Sequence, residues 1–338
     1  MAAKPSKKCE TVVMDFDEVD ERPKHNFRAL IIVLIFIAAL SISFLTNAII
    51  VFIEKPANGE VFKDSGNETT VEPTLGEPED EVEDDEKPAK IDFQPVVDAW
   101  VNSTGGDKSV VVYDLDLDEV VGSYNADASF NTASLYKLFV VLEGYRRVER
   151  GEWEADTAVR GTGHTILECL DLAVRESHSL CAEGLWAMIG HDELDKTIVD
   201  EFKINNSKIS TLTSNANDIT TIMKLFYKHP GIYSKDLISR MWDSFLNQPT
   251  TTYNWRRGLP SGFSDAVKVY NKVGWDYDMD NKYWNLYHDT AIIEVPSLDR
   301  HFVVTVLTHR VSFTDIRKLA AKIETAINES KLVSAEEL

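Results

Sequence analysis

The sequence predicts an α+β domain, an antiparallel sheet flanked by helices with a helical subdomain inserted, preceded by one transmembrane helix. Three observations predict it. Apolar runs of strand length cluster at both ends of residues 91–338, helical periodicities fill the stretch between them, and residues 29–53 continue for 25 positions without a charge. Strands that are adjacent in sequence and joined by short turns pair antiparallel. Strands segregated from helices argue for α+β rather than a βαβ array.

In chain order, residues 1–28 read as a cytoplasmic tail. Residues 29–53 are long enough to cross a bilayer at 1.5 Å per residue, and no small-residue cleavage site follows them. Lys4, Lys7, Lys8, Arg22, Lys24 and Arg28 precede the span, against Lys55 and Lys63 just after it. This bias puts the N-terminus inside and the bulk of the chain outside, as a single-pass protein of the cell membrane. Residues 54–90 carry 13 acids and four lysines with almost no aromatic residue. Such a stretch buries too little apolar surface to offset its ordering and reads as an extended acidic linker.

The remainder, 91–338, reads as one domain. Strands at 108–115 and 120–125 join through an acidic turn into a hairpin. A helix follows, capped by Asn131 or Thr132 and stopped at Gly151. Helical patterns recur at 166–175, 181–189, 217–228 and 235–246. Strand patterns return at 267–273, 289–295 and 301–309, and an amphipathic helix over about 313–331 closes the chain.

Composition excludes some functions. With 35 Lys+Arg against 56 Asp+Glu the 338-residue chain has a formal charge of −21, which leaves no basic stripe for a phosphate backbone. The eight histidines form no H-x-x-x-H or H-E-x-x-H pattern, and His288 and Asp289, neighbours on a strand, point to opposite faces. No metal or other cofactor is expected. Of three cysteines, Cys9 lies in the cytoplasmic tail. Cys169 and Cys181 fall on two helices outside, either as a disulfide or as two buried thiols.

The chemistry concentrates at Ser134-Leu135-Tyr136-Lys137. Positions i and i+3 share a helix face, so the hydroxyl and the amine can meet. Free amides of a first helical turn can stabilise an oxyanion, and a lysine of lowered pKa can take the serine proton. Downstream come Ser177-His178-Ser179, and Lys272-Val273-Gly274 followed by Trp275. In order and spacing these resemble the S-x-x-K, S-D-N and K-T-G motifs of the class A β-lactamase and penicillin-binding serine hydrolases.

The resemblance spans about residues 105–325 and implies a β-lactamase/transpeptidase-like fold. It implies Ser134 as nucleophile, Lys137 as its base and Ser177 as proton relay to the leaving nitrogen. Ser179, Lys272, Val273, Gly274 and Trp275 would bind substrate, with the amides of Ser134 and Trp275 as oxyanion hole. The implied substrates are β-lactams or D-alanyl peptides of the cell wall.

Departures from the family pattern set further expectations. Ser179 stands for the asparagine and is expected to lose that residue's bridge to the S-x-x-K lysine. Val273 stands for a hydroxyl residue and cannot donate to a substrate carboxylate. No E-x-x-L-N occurs, Asp243–Asn247 reads as helix surface, and Asp192, Glu193 and Asp195 are the nearby substitutes for a deacylating base. Deacylation is therefore expected to be slow. The alternative is a catalytically silent β-lactamase-like binding or sensor domain.

Overall fold

In a computed structural model, residues 88–250, 254–278 and 283–336 are described. The tail, the span at 29–53 and all but the last residues of the acidic linker lie outside them. Among the described residues no helix is long and apolar enough to cross a membrane.

The chain opens with helix α1 (Gln94–Ser103), whose Trp100 is buried and donates its indole N–H to the Asp315 carbonyl at 2.7 Å. Strands β1 (Asp107–Asp114) and β2 (Glu119–Tyr124) form the expected hairpin, antiparallel, with a bulge beside Val112. Asp114 shapes its turn by accepting from the amides of Asp116 and Leu117, each at 3.0 Å. The C-terminal strands are β5 (Lys268–Asp278), β6 (Tyr283–Val295) and β7 (Arg300–His309). All pairings in the five-stranded sheet are antiparallel, in the order β2-β1-β7-β6-β5. The two ends of the domain are thus knitted by β1 and β7, from Asp107 opposite His309 to Asp114 opposite Phe302.

The sheet is covered on both faces, which is why β7 is an almost unbroken apolar run. Phe302, Val304 and Val306 face a core shared with α1 and the closing helix α8 (Phe313–Glu336). Val303 and Leu307 face the core shared with the helical insertion. That insertion holds α2 (Tyr136–Glu149), α3 (Ile166–Arg175), α4 (Ser179–Ile189), α5 (His191–Asp200), α6 (Ala216–Lys228) and α7 (Lys235–Leu246). A two-stranded ribbon, β3 (Phe130–Asn131) with β4 (Thr213–Ser214), ties its entry to the segment between α5 and α6.

Local chemistry explains the boundaries. α3 begins at a capping box: Thr165 Oγ1 accepts from the Glu168 amide, and Glu168 Oε2 accepts from the Thr165 amide at 2.8 Å. Ser234 caps α7 and Asn215 caps α6. The chain leaves α2 through Gly151 at φ 69°, the left-handed turn a glycine takes without strain. The helix expected to start at a cap on Asn131 or Thr132 starts differently. Neither caps it; a 3-10 turn (Ala133–Leu135) precedes α2, and Asn131 Oδ1 instead accepts from the Ala133 amide at 2.8 Å.

Candidate active site

The 3-10 turn carries Ser134. Ala133 just before it is held at φ 43°, a left-handed conformation that costs a residue with a Cβ about 1–3 kcal/mol. The surroundings hold the turn in place. The Thr132 amide donates to the Leu212 carbonyl at 2.8 Å, and Leu135 is fully buried. His288 Nε2 donates to the Asn131 carbonyl at 2.7 Å while its Nδ1 accepts from the Thr308 amide at 3.0 Å. That pattern needs a neutral ring, and burial pushes the His288 pKa down to about 4.

Strand β5 forms the sheet's edge beside this turn. A Cβ on Gly274 would lie 2.9 Å from the Thr132 carbonyl oxygen, 3.0 Å from Leu135 Cγ and 3.2 Å from His288 Cδ2. Only glycine lets the edge approach so closely. Two residues earlier Lys272, buried on the same strand face, sends its Nζ to Ser177 Oγ at 2.9 Å and to the Val273 carbonyl at 2.7 Å.

Ser177 lies in the link between α3 and α4, at φ 55°. The Cys169–Cys181 disulfide, joining those two helices with a Cα separation of 4.8 Å, clamps the link. Of the two states open for these cysteines, the structure has the bond. His178, where the family motif has aspartate, caps α4 by accepting from the Cys181 amide at 3.2 Å. Lys137, fully buried, donates to the Ser177 carbonyl at 2.5 Å and to Ser179 Oγ at 3.1 Å, with Ser177 Oγ at 3.4 Å. Two lysines therefore converge on Ser177 Oγ. Burial brings the Lys137 pKa down to about 8, against the pull of the Glu183 carboxylate. It drives Lys272 well below the usual lysine range, with Lys137 adding to the fall and Asp289 opposing it.

These groups surround a groove of about 620 Å3. Ser134, Ser177 and Ser179 line it, with Tyr136 and Leu212 beside them. Trp255 and Trp275, ring centroids 5.2 Å apart, make an aromatic wall. Glu176, Glu183 and Asp276 also border it, all three exposed. Among the described residues no group of His, Cys, Asp and Glu is arranged to hold a metal ion.

Three expectations are corrected. Ser179 keeps the bridge to Lys137 that its short side chain was expected to lose, because the Lys137 ammonium rests against the Ser177–Ser179 segment itself. Val273 was expected at the substrate. Strand alternation turns it away from the face of Lys272 and Gly274 into the core with Val269 and Ala291, and it lines no part of the groove. A hydroxyl there would be buried rather than offered to substrate.

The third correction concerns the acids. Asp192, Glu193 and Asp195 do not border the groove. Asp195 is occupied by the amides of Ile209 and Ser210, at 2.7 and 3.2 Å, and Glu193 approaches Arg147 at 4.0 Å. The sequence reading missed Glu183, although it lies four residues after Ser179 and hence on the same helix face. Asp243, as expected, is exposed helix surface on α7.

The sequence over residues 92–330 matches the beta-lactamase enzyme family. The chain belongs to that family. Solved class A enzymes share its fold. An ancestral class A β-lactamase is 17% identical with a TM-score of 0.58, covering 69% of this chain and 99% of its own. A β-lactamase from Xanthomonas campestris pv. campestris is 12% identical with a TM-score of 0.61, covering 70% and 99%. The TLA-1 extended-spectrum β-lactamase is 15% identical with a TM-score of 0.59, covering 70% and 98%. At such identities the likeness speaks for the fold alone. No curated protein is similar enough in sequence to count as a match.

Proposed function

We propose that this β-lactamase family member is a serine hydrolase, anchored outside the cell membrane by residues 29–53, that forms an acyl-enzyme on Ser134. Its acyl donors are β-lactams or D-alanyl-peptide-like amides of the cell wall. The observation that carries this reading is the convergence of Lys137 and Lys272 on Ser177 Oγ beside the groove that Ser134 lines. Neutral Lys137, one helical turn from Ser134, turns to its hydroxyl and takes the proton. The attack breaks the amide π-bond, and the oxyanion is received by the amides of Ser134 and Trp275. Ser177 passes a proton to the leaving nitrogen as the C–N bond breaks. Lys137, 3.4 Å from Ser177 Oγ, replaces it with the proton taken from Ser134 and is neutral again. Lys272 supplies positive charge to the Ser177 hydroxyl and to the substrate carboxylate.

Deacylation is the slow step in this reading. The carboxylates of the groove are exposed, so a water activated there competes with bulk solvent.

A fluorescent penicillin followed by intact-mass spectrometry tests the proposal. The wild-type chain should gain one adduct, Ser134→Ala should gain none while melting at the same temperature, and Lys137→Ala should label about 10²–10⁴-fold more slowly. Equal labelling of wild type and Ser134→Ala would end the covalent reading.

A further inference from the structure

A second cavity, of about 240 Å3, opens on the helical side of the sheet. It has no lining residue in common with the groove of Ser134. Its walls come from five elements: Tyr227 on α6, Trp242 on α7, Tyr270 on β5, Ile292 and Glu294 on β6, and His301 on β7. Ile292 is buried, whereas the three aromatic residues are half-buried. Trp242 stands edge-on to Tyr270, centroids 5.1 Å apart, and Tyr227 leans on His301 at 5.2 Å.

The single acid in this wall is well held. Glu294 accepts from the Tyr270 hydroxyl at 3.0 Å and from Lys268 Nζ at 2.7 Å, bonds that keep its carboxyl below the usual pKa in spite of burial. Carboxylates also lie near the Tyr227 phenol, Asp116 among them being paired with Arg300 at 3.6 Å. Burial raises the Tyr227 phenol pKa, and the carboxylates of Asp116, Asp299 and Glu294 add to the rise.

We propose that this cavity is a binding site for a small organic ammonium group, held by the faces of Tyr227, Trp242 and Tyr270 and by the Glu294 carboxylate. Aromatic faces attract cations through their quadrupole, most strongly when water is excluded, and quaternary ammonium groups are recognised in this way. The volume falls below the roughly 300–1,000 Å3 that encloses a drug-sized ligand, which suits one headgroup rather than a whole molecule. Lys268 already sets an ammonium against Glu294, yet its side chain is 52% exposed and so can be displaced. An incoming cation therefore competes with Lys268 for the same carboxylate.

The test is a titration of the full-length chain, in a maltoside detergent, with choline and with its neutral isostere 3,3-dimethylbutan-1-ol, observed through the ligand's methyl signals in saturation-transfer NMR. Choline should bind and the alcohol should not. Glu294→Gln, which retains an acceptor for Tyr270, and Trp242→Ala should each weaken choline binding about tenfold. Lys268→Met should strengthen it, a result that a merely structural Lys268–Glu294 pair would not give. Displacement of choline by glycerophosphocholine would assign the group to a lipid headgroup, and binding of choline without such displacement to a soluble ligand. No choline binding at millimolar concentration, equal binding of the alcohol, or weaker binding in Lys268→Met would overturn the proposal. None of these readouts depends on acylation at Ser134.

Discussion

At the residue scale the site turns on Lys137, because two buried ammonium groups cannot share Ser177 Oγ cheaply while both are charged. Burial lowers both pKa values, and the one near 8 belongs to the residue proposed to act as base. The sign follows directly. A lysine is a base only when neutral, so the competent fraction grows as pH rises toward about 8 and is complete above it. Acylation of Ser134 should therefore speed up about tenfold per pH unit between pH 6 and 8 and then level off. Glu183 favours the charged form of Lys137, so Glu183→Gln should move the midpoint to lower pH. Stopped-flow labelling with a chromogenic cephalosporin across that range measures both. A flat profile in the wild type would remove Lys137 from the role of base.

At the scale of elements, the Cys169–Cys181 bond fixes where α3 ends and α4 begins, and so where Ser177 stands. Closing a loop of that length stabilises the fold by about 3 kcal/mol through the unfolded chain. The Cys169→Ala/Cys181→Ala double variant should lose about that much in denaturant unfolding and should also acylate more slowly, as Ser177 loses its clamp. A stability loss with unchanged acylation would confine the disulfide to folding.

The elements also show what the sequence could reveal. α3 and α7 fall where periodicity places them, and each carries its own start signal in the structure, Thr165 with Glu168 and Ser234. α1 and α5 escaped that reading. α1 begins at a Gln-Pro pair and buries Val97 and Trp100, and α5 is polar over most of its ten residues, burying Leu194, Thr197 and Ile198. The order of the three motifs was legible as local spacing. The directions of Val273 and of the Lys137 ammonium were not, since they depend on strand phase and on packing against residues 40 and more positions away.

The whole molecule joins a folded hydrolase domain to an N-terminal stretch read from sequence alone, and its two functional expectations differ in kind. If residues 29–53 anchor the chain with its bulk outside, protease added to intact cells should cut within 54–90 and release a domain beginning near residue 91. Protection of that stretch would refute this topology. The other expectation concerns turnover. Releasing an acyl group from Ser134 needs a base that activates water against an ester, and loss of such a base costs about 10²–10⁴ in rate, or about 3–5 kcal/mol of barrier. Asp195 is consumed by backbone amides, Glu193 faces Arg147, and the acids that do border the groove are exposed. A chromogenic cephalosporin should accordingly give a burst equal to the enzyme concentration, followed by a nearly flat line, with the acyl-enzyme visible by mass spectrometry throughout. Sustained fast turnover that disappears in Glu176→Gln, Glu183→Gln or Asp276→Asn would show instead that a rim carboxylate is held against the ester once substrate fills the groove, and the slow-release reading would fail.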